Sequence, residues 1–173
     1  PEHLKHIKLA HALYHQKDDE VKKLLSLNAN PAYRLNYGWT SLHFAAQSGQ
    51  TDMLQELLKH SNQIDIQKDD GFTPIMLAVY NNHFETVLCL LENNASPVIK
   101  NKDGENVVDI ASQAGYEDIK LLFYNKKEAR DQFRLNNLLW EETQKEEPDK
   151  KEIESLLEQG ANHDVPACTA GEQ

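Results

Sequence analysis

Apolar residues recur along this chain at a fixed interval of 33 positions. The interval separates the members of an alanine series and of a series of apolar pairs: Ala12, Ala45, Ala78 and Ala111, and Leu24-Leu25, Leu57-Leu58, Leu90-Leu91, Phe123-Tyr124 and Leu156-Leu157. It also separates three glycines: Gly38, Gly71 and Gly104. A fixed period between about 20 and 50 residues is typical of a solenoid, in which each unit buries the faces that it shares with its neighbours.

Within each unit, the residues predict a turn, a short helix, a second turn and a longer helix. In the second unit, Thr40 is a helix cap and Gly49 ends the short helix, so residues 52–58 form the longer one. In the third unit, Pro74 stands in the first helical turn, where its missing N–H costs nothing. The segment 93–97 (NNASP) is a stop signal for the second helix of that unit.

These units resemble ankyrin repeats, a family whose core motif reads TPLHxAA. Residues 40–46 read TSLHFAA and residues 73–79 read TPIMLAV. The resemblance is specific over 35–124 and fair over 5–34, whereas 125–173 diverge. It implies an all-α-dominated solenoid of about five helix–turn–helix repeats with short β-turn fingers. The units expected are 1–34, 35–67, 68–100, 101–133 and 134–173.

The last unit departs from the repeat pattern. Residues 125–134 contain neither Gly nor Pro, so we expect no β-turn finger there. We expect a helix over roughly 134–143, a charged loop over 144–150, and an ankyrin-like second helix with its terminal turn over 153–162. Residues 170–172 resemble the start of a next repeat that is cut off, which suggests a fragment of a longer protein.

Charge and composition narrow the classes of function. The chain has 28 acidic and 18 basic residues and a formal net charge of −10, which argues against a nucleic-acid partner. No apolar run approaches the roughly 18 residues of a membrane span, so membrane insertion is not expected. Two cysteines make no disulfide framework, and the simplest compartment is a reducing one, the cytoplasm.

No catalytic chemistry is visible in the sequence. It shows no nucleophile–base pair, phosphate loop or complete metal motif, so we predict no enzyme, no cofactor and no small-molecule substrate. We expect Cys89 to be a small buried hydrophobe, and His43 to be bonded to a neighbouring turn. The pairs His3/His6 and His11/His15 have helical spacing, but two ligands make an incomplete metal site.

The resemblance implies that another protein binds along the fingers and the inner face of the first helices. The positions that correspond to the family's contact surface are Tyr14, Tyr37, Trp39, Gln47, Asp69, Asp70, Phe72, Tyr80, Asn81, Lys102 and Glu105. Tyr37, Trp39, Phe72 and Tyr80 are expected to form an exposed aromatic strip that anchors a partner. The alternative is that Trp39 and Phe72 pack on neighbouring fingers and stiffen the array. The nearby acids favour a partner with an apolar anchor surrounded by Arg or Lys.

The function expected is that of a protein-binding module. A bias towards lysine and asparagine, with 15 Lys against 3 Arg and 14 Asn, is typical of bacterial effectors that act on host proteins and also of many eukaryotic genes. An effector would work in the host cytoplasm, and the nucleus is a further compartment. The alternative is a targeting or substrate-recruiting region of a larger enzyme. The acidic segment 141–158 is either a solvated face or a site for a basic partner.

Overall fold

Polar caps set the beginnings of the inner helices. Thr40, Thr73 and Asn106 occupy equivalent cap positions, one in each of three successive repeats. The Asn106 side chain accepts hydrogen bonds from the main-chain N–H groups of Val108 and Asp109, at 2.8 and 3.1 Å. Pro74 is the first residue of its helix, as predicted, because its missing N–H needs no partner there.

The computed structural model describes residues 2–162 and contains ten α-helices and no strand within that range. The helices are α1 (Glu2–Tyr14), α2 (Asp18–Ser26), α3 (Ser41–Gln47), α4 (Thr51–Leu58), α5 (Pro74–Tyr80), α6 (Phe84–Glu92), α7 (Val107–Ala114), α8 (Glu117–Tyr124), α9 (Lys126–Thr143) and α10 (Lys150–Glu158). A short 3-10 turn spans Asn36–Gly38. None of the helices between residues 2 and 162 has the length and apolar character needed to cross a membrane.

The first eight helices form a regular solenoid. The inner helices α1, α3, α5 and α7 stack in one row, and the outer helices α2, α4, α6 and α8 stack in a second row. All four members of the alanine series are fully buried where the rows meet, because only a small side chain allows such close helix approach. One continuous hydrophobic core runs from Leu9 to Ala129. The solenoid predicted from the period is confirmed.

The predicted β-turn fingers join each outer helix to the next inner helix and pair with one another. The Asp69 N–H donates to the Tyr37 carbonyl, and the Lys102 N–H donates to the Asp70 carbonyl, both at 3.0 Å. Gly71 lies at this contact with φ +87°, and a Cβ there would lie 2.8 Å from the Lys102 nitrogen. Only glycine tolerates both the backbone conformation and the close approach.

Helix α9 corrects one expectation from the sequence. It begins at Lys126, well before the expected start at 134, and follows α8 after the single residue Asn125. Asn125 caps it, since its side chain accepts from the Glu128 N–H at 3.3 Å. Without Gly or Pro, no finger interrupts the chain, and α9 packs against the outer helix α8 instead of extending the inner row. The expected boundary between 133 and 134 therefore falls inside α9.

The last helix agrees with its sequence pattern. Helix α10 is followed by Gly160 at φ +98° and by the buried Ala161, as in the expected terminal turn. Asn136 of α9 joins this turn to α8, because its side chain accepts from the Asn162 N–H at 2.7 Å and donates to Asp118 at 3.1 Å. Residues 170–172, where we expect the next repeat to start, lie outside the described residues.

Candidate functional site

Exposed side chains recur along the inner row of helices. Tyr14, Gln47 and Tyr80 are the last residues of α1, α3 and α5, and Gln113 is the penultimate residue of α7. The four are spaced by one repeat period each, and all are exposed. Tyr14 is 71% exposed and Tyr80 is 63% exposed. The inner row thus presents one amide or phenol group from each repeat. The 33-residue period also identifies Gln113 as a member of this surface.

The finger of the second repeat projects a further tyrosine. Tyr37 is 78% exposed and adopts a left-handed backbone conformation, with φ +58° and ψ +21°. This conformation is costly for a residue other than glycine. The bond from the Asp69 N–H holds it in place, and Arg34 ties the neighbouring finger through the Asp69 carboxylate at 3.0 Å.

The other two finger aromatics pack between the fingers. Trp39 is half-buried and stacks on Phe44, with ring centroids 4.8 Å apart and planes 26° apart. The Lys68 ammonium lies 4.4 Å from the Trp39 ring centroid and 5.5 Å from that of Phe72. It also pairs with the Asp70 carboxylate at 2.6 Å, and the Lys68 side chain is only 9% exposed. The four aromatics therefore do not form one exposed strip: Tyr37 and Tyr80 face solvent, whereas Trp39 and Phe72 hold a lysine.

His43 connects the second repeat to the third finger, as the sequence predicts. Its Nε2–H donates to the Phe72 carbonyl at 3.1 Å, while its Nδ1 accepts from the Thr40 N–H at 3.2 Å. Burial of the ring lowers its pKa to about 4, and the bond to Phe72 opposes this shift only in part. The imidazole is neutral at physiological pH and acts as a structural link. Cys89 is buried, as predicted, and burial raises the pKa of its thiol.

A groove lies between the third and fourth repeats. We call it the repeat-3/4 groove; it has a volume of about 400 Å³ and is lined by Phe72, Tyr80, Glu105, Ile110, Gln113, Ala114 and Tyr116. Hydrogen bonds from Asn101 at 3.0 Å and from Gln113 at 2.8 Å hold the Glu105 carboxylate and keep its pKa below the usual value. The groove offers aromatic and aliphatic surface beside a fixed negative charge.

The remaining candidate residues surround these features. Asp69, Asp70 and Lys102 are exposed on the fingers, and Asn81 is exposed at the end of α5, where its side chain donates to the Leu77 carbonyl at 2.8 Å. A second cavity, of about 690 Å³, lies beside α9 and is lined by none of the predicted site residues. Two of its lining residues, Phe133 of α9 and Phe84, stack on each other with centroids 4.0 Å apart. No pattern in the sequence pointed to this contact.

The rings of His11 and His15 lie next to each other, with centroids 4.3 Å apart, whereas His3 and His6 contact the first loop. His6 stacks on Tyr33 with centroids 4.7 Å apart and accepts from the Asn30 N–H at 2.9 Å, while His3 bonds the Tyr33 hydroxyl at 3.1 Å. These contacts fasten α1 to the first loop. In the part of the chain that the structure describes, no group of three or more His, Cys, Asp or Glu side chains is arranged to hold a metal ion.

Comparison with known proteins agrees with this architecture. Residues 9–101 and 62–133 match the family model described as ankyrin repeats in three copies. The chain belongs to the ankyrin-repeat family. Ankyrin repeats bind other proteins and are generally non-catalytic, so the exposed side chains of the fingers and inner helices are candidates for contact with a protein.

Relatives of this ankyrin-repeat chain are much longer proteins. Human BCL-6 corepressor-like protein 1 is 36% identical over 80 residues, which are 46% of this chain and 4% of that protein. The Drosophila melanogaster tyrosine-protein kinase Shark is 29% identical over 139 residues, or 76% of this chain and 15% of the kinase. A Caenorhabditis elegans homologue of transient receptor potential cation channel subfamily A member 1 is 37% identical over 81 residues, or 45% of this chain and 7% of the channel. The chain thus spans only a small part of each relative.

Proposed function

We propose that this ankyrin-repeat array binds a partner protein across its fingers and its inner row of helices. The exposure of Tyr14, Tyr37 and Tyr80 carries the proposal. These side chains are 71%, 78% and 63% exposed, although tyrosine buries a large apolar area when it finds a partner. Tyrosine is among the residues enriched at binding hot spots. Three of them on successive repeats form an extended contact surface.

The polar residues around the tyrosines supply selectivity in this proposal. Gln47 and Asn81 offer amide groups, Asp69 and Asp70 offer carboxylates, and Lys102 is a cation on the same fingers. With a net charge of −10 on the whole chain, a basic partner is attracted and an acidic one is repelled. Trp39, Phe72 and Glu105 contribute the walls between the fingers.

The test is the retention of a partner by matched variants. The bait is the full chain, incubated with eukaryotic cell lysate, beside a variant in which Tyr14, Tyr37 and Tyr80 are all changed to Ala. The control is Tyr124→Ala, because Tyr124 is 70% exposed but ends the outer helix α8. We expect a protein that the wild type and the control retain and that the triple variant loses. Circular dichroism verifies that all three chains are folded.

Each of the three changes is expected to cost about 1 kcal/mol or more, so the triple variant should bind about a hundredfold more weakly. Equal retention by the triple variant and the control would move the site away from the inner row and the fingers. Absence of any retained protein would contradict the proposal of a binding module.

A second candidate function is recruitment for a larger enzyme. The match to a tyrosine-protein kinase favours it, because 76% of this chain aligns with only 15% of that relative. The full-length sequence decides this question by showing whether a catalytic domain accompanies the array. The bacterial-effector role rests on the lysine and asparagine bias alone, and the genome that encodes the chain tests it. Cytoplasmic localisation accompanies both candidates and is tested by cell fractionation.

A further inference from the structure

One position recurs in three successive fingers. It holds an aromatic residue in the first two of these fingers and a glutamate in the last. Trp39, Phe72 and Glu105 are separated by one repeat period each and occupy the same place in their fingers. Each finger closes in the same way, since the main-chain carbonyl at this position accepts from an N–H of the preceding turn: Leu35 to Trp39, Lys68 to Phe72 and Asn101 to Glu105, at 2.7, 2.9 and 2.9 Å. The junctions between fingers are therefore comparable sites with different side chains.

At the junction of the second and third repeats, the chain binds a cation of its own. The Lys68 ammonium lies against the rings of Trp39 and Phe72 and pairs with Asp70. Aromatic faces attract cations because their π-electrons are negative, and the attraction grows when water is excluded. With its side chain only 9% exposed, Lys68 is in such a position. This junction is a complete site for a cation between rings and a carboxylate.

One repeat further on, the same kind of site has no lysine. The position equivalent to Lys68 is Asn101, whose amide bonds the Glu105 carboxylate instead of occupying the space between the rings. The repeat-3/4 groove nevertheless has rings on its walls, with Phe72 and Tyr80 meeting edge to face at 6.3 Å. Across the described residues 2–162, no lysine or arginine forms an ion pair with Glu105.

The Glu105 carboxylate is prepared for a cation. Asn101 and Gln113 hold one oxygen each, so the group is fixed in direction before any ligand arrives. A carboxylate has about four lone-pair sites, and two of them are still open here. Such a preorganised acceptor costs little conformational entropy on binding.

We propose that the repeat-3/4 groove binds an arginine side chain of the partner protein, with the guanidinium against Tyr80 and Glu105 and the aliphatic stem against Ile110 and Tyr116. This inference rests on the proposed function. Arginine fits better than lysine because its planar guanidinium stacks on a ring while donating to a carboxylate, and it is less strongly hydrated. A volume of about 400 Å³ gives room for the side chain and its adjoining main chain.

The experiment uses a library of random peptides displayed on phage and selected on the full chain. The peptide enriched most strongly is then synthesised with its arginine intact, with lysine in its place and with citrulline in its place. Citrulline has nearly the same shape but no charge. We expect isothermal titration calorimetry to give about tenfold weaker binding for the citrulline peptide, with the lysine peptide between the two.

Two variants of the finger in the fourth repeat then test whether the arginine binds at Glu105. Glu105→Gln removes the charge and keeps one of the two acceptor oxygens that Asn101 and Gln113 use. Asp103→Asn removes a charge from an exposed residue that does not line the groove. We expect Glu105→Gln to weaken the arginine peptide about tenfold and to abolish its advantage over citrulline. Asp103→Asn should change binding less than about twofold at about 150 mM salt, because exposed charges are screened.

The outcomes separate this inference from the proposed function. Peptides that lack arginine, or that bind equally to the Glu105→Gln and Asp103→Asn variants, would overturn the arginine site. If the triple tyrosine variant still loses those peptides, the partner surface stands. A chain that enriches no peptide at all would count against both proposals.

Discussion

Replacing Gly71 by alanine should destabilise the array much more than the same change at Gly104. Both glycines have positive φ, +87° and +82°, and both belong to fingers. A Cβ on Gly71 would lie 2.8 Å from the Lys102 nitrogen and 2.9 Å from the Asn101 Cα, whereas a Cβ on Gly104 would meet nothing within 4 Å. The pair therefore separates steric contact from backbone strain.

The expected magnitudes follow from these two costs. A left-handed conformation costs an alanine about 1 kcal/mol, so Gly104→Ala should lower the free energy of unfolding by about that amount. Overpacking against main-chain atoms, which cannot rotate away, adds about 1–3 kcal/mol at Gly71. We expect Gly71→Ala to lower the free energy of unfolding by about 2–4 kcal/mol in total.

Urea denaturation followed by circular dichroism measures both variants under identical conditions. The free energy of unfolding must have the same slope against urea concentration in both variants, so that a shift in the midpoint reports stability alone. Losses that agree within about 0.5 kcal/mol would refute the steric reasoning and show that the fingers move apart at little cost. A wider gap would establish the close stacking of the third and fourth fingers.

Three further changes test other contacts. Phe133→Ala removes a half-buried ring stacked on Phe84 and should lower the free energy of unfolding, measured by urea denaturation, by about 2 kcal/mol. A loss below about 0.5 kcal/mol would mean that other contacts hold α9 in place. Burial raises the pKa of Asp118 above its usual value near 3.8, so the stability from its bound proton is present below that pH and lost as pH rises. Asp118→Asn should therefore stabilise the chain at pH 7 but not at about pH 3. An equal gain at both pH values would be contrary evidence. Because the pKa of His43 is lowered to about 4, its neutral ring gives stability that is complete above about pH 6.5 and is lost as pH falls. The free energy of unfolding should fall by about 3 kcal/mol over that range. Thermal melts of His43→Gln should lack this loss.

The sequence contains most of the information about the regular repeats because their structure is local. The cap at Thr73 and the proline at 74 act within a few residues, whereas Gly71 and the buried alanines contact only adjacent repeats. The start of α9 is set locally by the Asn125 cap, but its direction is not local. The direction involves the contact between Phe133 and Phe84, which are far apart in the chain. The lack of Gly and Pro signalled the missing finger but not where the helix would pack.

The candidate site shows the same division between local and non-local information. The repeat register identified the positions on the fingers, but it did not separate Tyr37, which faces solvent, from Trp39, which packs on Phe44. That difference depends on Lys68, a residue of the next repeat that lies over the Trp39 ring. The signal that would have revealed this difference is a lysine or arginine near the aromatic positions of the fingers.

The path of α9 changes how the array should unfold. An open solenoid has contacts only between adjacent repeats, so its terminal unit can fray without disturbing the rest. Here Phe133 reaches Phe84 and Arg130 pairs with Glu92, so α9 contacts the third repeat past the fourth. Opening the C-terminal end then exposes core in the middle of the array. Hydrogen exchange should show the third, fourth and last helix pairs opening together as one cooperative unit, while the first repeat opens alone.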